Sequence, residues 1–437
     1  MSITSSTSKP EYEQEIERNY RFNLTVNALD GTTYWFGYSF IAPTVILPLY
    51  ISHFTDNSII IGLIAFFSTA GFLLPQLFTA NAVGRAPRKK FFPVNIGFFT
   101  ERLPILLLPI SAAIFAREMP GMALTMFLLL YAWFSFGAGT IIVGWQDLIA
   151  KIIPADRRGR FFGITQFAGN AAGILSAFAV PFVLKGFEFP TGYVIAFSAA
   201  AILILLSWVF LALTREPAVY SNKPVVSQMV YLRTLPAVVR EDPNFLRYLI
   251  FSTLYSLGGM ASGFLIVYSA QKWNLPDSQA SQYFIAMQIG QTLANLFFGF
   301  FSDQKGHKLA LEVGVVVAVL SFVLALLAPD PVWFYPIFFL RGAVQAALLI
   351  SGIAIVMDFT GAEQRPTYIG LANTIPGIAS AIAPLVGGWL ANVTGYPVLF
   401  IISAVISLLS FTVLRWTVRE PRDTHKTTVN VEPTPVV

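Results

Sequence analysis

Apolar residues run in long unbroken stretches along this chain, and polar residues gather in short clusters between them. A helix crosses a ~30 Å hydrocarbon core in roughly 20 residues. Apolar runs of at least that order lie near residues 25–52, 58–80, 91–116, 122–150, 161–185, 191–213, 246–270, 279–301, 309–328, 332–357, 367–391 and 395–415. Stretches such as AILILLSWVFLAL, residues 201–213, do not alternate in polarity, so they fit helices and not the strands of a membrane barrel. Pro, Gly and charge clusters flank most of the runs, as helix ends require. The pattern predicts an all-α integral membrane protein with 12 transmembrane helices.

Composition agrees with that pattern. The 437 residues are 55% hydrophobic and only 12% charged, about half the ~25% of soluble domains. Residues 1–22 form a polar tail containing EYEQEIER, without the basic-then-apolar order of a cleavable signal, so the first span directs insertion. If that tail is inside, the tails and inner loops hold 23 of the 28 Lys and Arg; the outer loops hold Arg117, Lys185 and Lys272. The remaining two, Arg102 and Arg341, fall within apolar spans. This distribution predicts both termini in the cytoplasm of a cell (plasma or inner) membrane, and it makes the net charge of +5 a matter of topology, with no nucleic acid as partner.

Some chemistry is excluded. With no cysteine there is no disulfide or thiolate metal site, and His53, His307 and His425 are too scattered to form a metal site. No Gly-Lys pair occurs, so there is no P-loop to drive transport by ATP. No nucleophile–base constellation points to an enzyme, and no cofactor is expected.

The longest connection, residues 215–244, follows six spans and divides the chain into bundles at 23–214 and 245–418, with a C-terminal tail at 419–437. Val226, Met229 or Val230, Leu232 and Leu235 fall at helical spacing within it, which predicts an amphipathic helix lying on the inner surface. The halves resemble one another. RRGRFFGITQ, from Arg157, lies over EQRPTYIGLAN, from Glu363, matching Arg158 with Arg365, Gly163 with Gly370 and Gln166 with Asn373; Leu73–Phe78 lies over Thr292–Phe297. Nearly constant displacements are what a diverged duplication leaves.

GFFSDQKGHKLAL, from Gly299, adds Asp303, Gly306, His307 and Lys308 between two apolar spans. It resembles the Gly-x-x-x-Asp-x-x-Gly-[Arg/Lys]-[Arg/Lys] loop of the major facilitator superfamily, whose members are two six-helix bundles with inside termini. The first-half counterpart, ANAVGRAPRKKFF, keeps Arg88 and Lys89 but has Gly84 in place of the Asp and Pro87 in place of the second Gly. The resemblance implies a loop that locks the inner ends of neighbouring helices and releases as the carrier changes state. Asp147 and Asp358, at the inner ends of spans 4 and 10, are the candidate partners of Arg88 or Lys89 and of His307 or Lys308. A plain basic turn that stays inside is the alternative. The fuller motif lies in the second half, so asymmetric locking is expected.

Ionisable groups within spans need a partner or a task, because each costs at least ~2.5 kcal/mol in hydrocarbon. Asp30 lies about 9 Å along the first helix and shares a face with Asn27, Tyr34 and Tyr38. The resemblance places this stripe on the central pathway, where Asp30 could carry a coupling proton; a solvated helix-end Asp is the alternative. Arg341 lies about 15 Å into span 10, with Gln345 one turn on. It either binds an anionic substrate group or pairs with an acid such as Asp30. Glu101 and Arg102 point about 100° apart on a helix and cannot simply neutralise each other, so they are expected to pair with neighbours. Gln288, Gln291 and Asn295 share one face of span 8, and Gln166, Asn170 and Asn373 carry further amides. They are interhelical glue or cavity lining, with cavity favoured in span 8.

The expected function is secondary active transport by alternating access, proton-coupled, of a small organic solute of anionic or amphiphilic character. The expected partners are the lipid bilayer, the solute and protons, with the protein a monomer. The competing expectation is an uncoupled facilitator or a non-transporting membrane partner.

Overall fold

The computed structural model describes residues 11–153, 158–218, 238–360 and 365–421. Among them the regular structure is helical throughout. The first span is α1 (Glu11–Ser39) followed by α2 (Ile46–Ser52), and the break between them contains Pro43. Next come α3 (Ser58–Arg85) and a third span that opens with two π turns, Phe92–Ile96 and Phe98–Arg102, before α4 (Leu103–Phe115). The long helices α5 (Pro120–Ile152), α6 (Arg158–Gly186) and α7 (Thr191–Ala212) complete the first half.

The second half repeats the order. Asp242 caps α8 (Pro243–Gly258) by accepting from the backbone N–H groups of Asn244 and Phe245, with Pro243 at the first position. There follow α9 (Phe264–Trp273), α10 (Asp277–Ala280), α11 (Tyr283–Lys305), α12 (His307–Leu327), α13 (Phe334–Ala347), a π turn at Leu348–Gly352, α14 (Ile353–Asp358), α15 (Arg365–Thr394) and α16 (Tyr396–Thr417). Pro376 and Pro384 sit inside α15 without ending it. Eleven of the described helical segments are long and apolar enough to cross a membrane. The first span falls outside that set because polar residues occupy α1 and the chain leaves the helix after Ser39. The expected amphipathic helix of the linker lies outside the described residues.

Two compact units result. The first comprises residues 1–41, 71–176 and 187–225; the second comprises 42–70, 177–186 and 226–437. Within the first, α1 and α4 both pack on α7, and α4 also packs on α5. Within the second, α11 packs on α13, and α16 lies against α8 and α12. The duplication shows in these contacts. A Cβ on Gly290 would overlap the carbonyl of Phe339, and one on Gly342 that of Met287; in the first half a Cβ on Gly71 would strike Ser135, and one on Gly139 the carbonyl of Gly71. Glycine pairs thus let α3 touch α5 and α11 touch α13, and Gly71 and Gly290 keep the displacement of the Leu73–Thr292 match.

The second unit also takes in the chain between the first and second spans. His53 bonds Asp277 at 2.5 Å, Asn392 donates to Asn57 at 2.7 Å and accepts from the Ser58 N–H at 2.8 Å, and Ser58 meets the Tyr396 hydroxyl at 3.2 Å. Both polar atoms of the Asn392 amide, the first residue of an Asn-Val-Thr triplet, are therefore engaged.

Candidate functional site

Asp30 is 4% exposed, which rules out the solvated helix-end reading. Ser207 of α7 donates to its Oδ1 at 2.6 Å, and the Trp145 indole of α5 donates to its Oδ2 at 3.3 Å. Asn27, fully buried one turn earlier, donates to the Asn23 carbonyl at 2.8 Å and to the Thr214 hydroxyl at 3.0 Å, tying α1 to the end of α7. Tyr34 stacks on Tyr38 and donates to Glu101 Oε1 at 2.7 Å. The polar stripe of α1 therefore faces α5, α7 and the π turn.

The expectation for Glu101 and Arg102 needs correcting. Their side chains are in direct contact, both almost fully buried. They belong to the π turn Phe98–Arg102, which is wider than an α turn and brings consecutive side chains closer in direction, and the long arginine folds back. The pair also engages a neighbour, since the Arg102 guanidinium lies 5.8 Å over the Tyr34 ring.

Arg341 keeps partial exposure. Its guanidinium touches the Ser262 hydroxyl, lies 5.2 Å over the Phe322 ring and faces Tyr255. Within its own unit no carboxylate pairs with it among the described residues; Asp30, whose bonds go to Ser207 and Trp145, belongs to the other unit. Gln345 is half-buried on the same helix. Gln288 is buried, and Gln291 and Asn295 are half-buried, with Asn295 Oδ1 meeting no donor among the described residues. Asn170 is half-buried and Asn373 exposed; the Gln166 side chain lies outside the described residues.

At the basic-loop end, the Lys89–Asp147 pairing forms at 3.3 Å, while Arg88 is exposed and meets no described acid. The Lys308 ammonium meets Glu312 at 3.6 Å and the Arg415 carbonyl at 3.0 Å. Glu312 lies one turn along the same helix. His307, buried, contacts the Ser351 hydroxyl at 3.4 Å. Gly306 turns the chain at φ +91, a conformation that favours glycine, and a Cβ there would strike Glu420. Gly299 stands on α11 in open space; the Asp303 side chain lies outside the described residues.

Two carboxylates that the sequence does not single out hold the basic-loop ends. Glu216 accepts from the backbone N–H groups of Lys89 and Lys90 at 2.8 and 2.9 Å and pairs with Lys151 at 2.7 Å. Glu420 accepts from the Lys308 N–H at 2.9 Å. Each belongs to an Arg-Glu-Pro tripeptide following the sixth or twelfth span, at 215–217 and 419–421. Each arginine backbone is held by an asparagine: Asn23 brackets Arg215 with bonds of 2.9 and 2.9 Å, and Asn244 brackets Arg419 with bonds of 3.0 and 2.8 Å. One clamp is thus built twice, and the repeated Arg-Glu-Pro was its visible signal. Ion pairs accompany the clamp in both halves: Lys89–Asp147 and Lys151–Glu216 in the first, Lys308–Glu312 and Arg415–Glu312 in the second. Burial holds the Lys90 amine below its ordinary range against the opposing pull of Glu216.

Residues 248–437 match the family model described as Major Facilitator Superfamily. Similar proteins include the vesicular acetylcholine transporter of Torpedo torpedo, 27% identical over 42% of this chain and 37% of that protein. An MFS-type transporter of Methanocaldococcus jannaschii is 22% identical over 84% of this chain and 87% of its own length. The chain spans about a quarter to two-fifths of the length of the first curated relatives it matches. Among solved structures, a D-xylose-proton symporter shares the fold, with a TM-score of 0.69 and 14% identity over 92% of this chain and 99% of that one. The loop motif and the family match agree on the second half: residues 248–437 match the Major Facilitator Superfamily, and the chain shares its fold with solved transporters.

Proposed function

We propose that the protein is a secondary active transporter that works by alternating access, couples to protons through Asp30 and carries a small organic solute with an anionic group. Both termini lie on the cytoplasmic side in this reading. Kinship with transporters supports the class. The observation that carries the substrate class is Arg341, a permanently charged group deep in its span, partly exposed, with a hydroxyl, an aromatic face and no described carboxylate around it. A cation so placed is completed by an anion that arrives and leaves. Ser262 and the Phe322 face hold the guanidinium in position, and Gln345 lies one turn further along the same helix.

Counterflow in proteoliposomes across a panel of organic anions, neutral solutes and cations tests this. Exchange of at least one anion is expected, with affinity falling about 10-fold or more in Arg341→Lys, which cannot reproduce the planar fork. Exchange limited to cations, or unchanged affinity in Arg341→Lys, would contradict the anionic class.

A further inference from the structure

We propose that the basic-loop end of α1 and α7 binds one anionic phospholipid, with the phosphate held between Arg18 and Arg215 and an acyl chain along the apolar flank of the two helices. The Arg215 guanidinium is already set in place. It lies 4.2 Å over the Phe22 ring and donates to Asn19 Oδ1 at 3.2 Å, while Asn23 holds its backbone N–H and carbonyl. Its neighbour Glu216 gives it no counter-charge, since that carboxylate is taken by the Lys89 and Lys90 N–H groups and by Lys151. Arg18 stands one turn from Phe22 on the same face of α1, with Arg21 at its flank and Glu17 about 140° round the helix from Phe22. All three arginines are exposed, and no carboxylate pairs with any of them among the described residues.

Depth and surroundings select a lipid as the anion. The first apolar run begins near residue 25, so residues 18–22 stand about 5–10 Å past the hydrocarbon edge. The headgroup layer is roughly 5–8 Å deep, within reach of long arginine side chains. A guanidinium offers phosphate a planar pair of donors. Towards the hydrocarbon the surface turns apolar: Phe22 and Leu29 of α1 are exposed, and so are Leu206, Val209 and Leu213, which share one face of α7. The two helices pack on each other. A free phosphate would use the charges alone, whereas a phospholipid uses the charges and the apolar flank together. The second half lacks this arrangement. Asn244 holds the Arg419 backbone as Asn23 holds that of Arg215, but at that displacement Arg18, Asn19 and Phe22 fall opposite Val239, Arg240 and Pro243. Neither a ring nor an amide is there to brace Arg419, and no second cation faces it from the Arg18 position.

Native mass spectrometry of the full-length protein, with phosphatidylglycerol or phosphatidylcholine of the same acyl chains added in detergent, tests this. The wild type should bind one phosphatidylglycerol about fivefold or more tightly than phosphatidylcholine. Arg18→Gln and Arg215→Gln should each weaken that binding about fivefold, the effect of removing one cation beside an anionic headgroup. Arg419→Gln should bind as the wild type does, and excess inorganic phosphate should leave the lipid in place. Equal affinity for the two lipids, or unchanged phosphatidylglycerol affinity in either Arg18→Gln or Arg215→Gln, would overturn the proposal. An equal loss in Arg419→Gln would reduce the effect to general charge, and displacement by inorganic phosphate would reduce the site to one for a small anion; either result overturns it. Arg215 also braces Phe22 and Asn19, so if Arg215→Gln fails to fold, Arg18→Gln decides.

Discussion

Glu216 gathers two backbone N–H groups and one ammonium onto a carboxylate that is 1% exposed, whereas the Asp147 carboxylate beside Lys89 is 46% exposed. Glu216→Ala leaves buried donors without an acceptor, so a loss of about 1–3 kcal/mol is expected. Asp147→Asn, where solvent screens the pair, should cost less than about 1 kcal/mol. Thermal unfolding in detergent compares the two, and equal losses would contradict the ranking. At this scale the sequence was legible where a charge interrupts an apolar run, which is how Asp30 and Arg341 stand out. It was silent on Ser207 and Trp145. A serine within an apolar stretch announces no partner, and Ser207 meets Asp30 only because the fold joins positions 177 residues apart.

Helices α11 and α13 meet backbone to backbone at Gly290 and Gly342, and that contact has no side chain that can turn aside. Gly290→Ala should therefore cost about 1–3 kcal/mol as the helices are forced apart. Gly299→Ala, on the same helix but in open space, should be neutral or stabilising by up to about 1 kcal/mol, because alanine suits a helix interior better. Thermal midpoints measure both, and a Gly290→Ala protein as stable as Gly299→Ala would refute the close crossing. The spans themselves were readable because hydrophobic length in a membrane leaves few alternatives. The π turn that joins Glu101 to Arg102 was not, since nothing in Phe98–Arg102 separates a π turn from an α turn before neighbouring helices pack on it. The duplicated clamp was half-readable: the loop motif stands out, whereas an Arg-Glu-Pro segment carries no local mark of the distant backbone its glutamate meets.

Across the whole molecule, the recurring features are a duplicated six-helix plan, the same Glu and Asn clamp at the basic-loop end of both halves, and ionisable groups within the spans of each unit. Asp30 belongs to the first unit and Arg341 to the second, each bonded within its own unit. The division of labour proposed above, proton in one unit and anion in the other, separates two steps that a single variant can pull apart. Asp30→Asn keeps the size of the side chain, and its carbonyl oxygen can still accept from Ser207 or Trp145, so the protein should fold and exchange its anion. The measurement that tests this most directly is solute accumulation in Asp30→Asn and wild-type proteoliposomes under an imposed pH gradient, alongside counterflow at equal pH. The account predicts that Asp30→Asn retains counterflow and loses gradient-driven accumulation. Accumulation that survives in Asp30→Asn, or that responds to no pH gradient in the wild type, would contradict it.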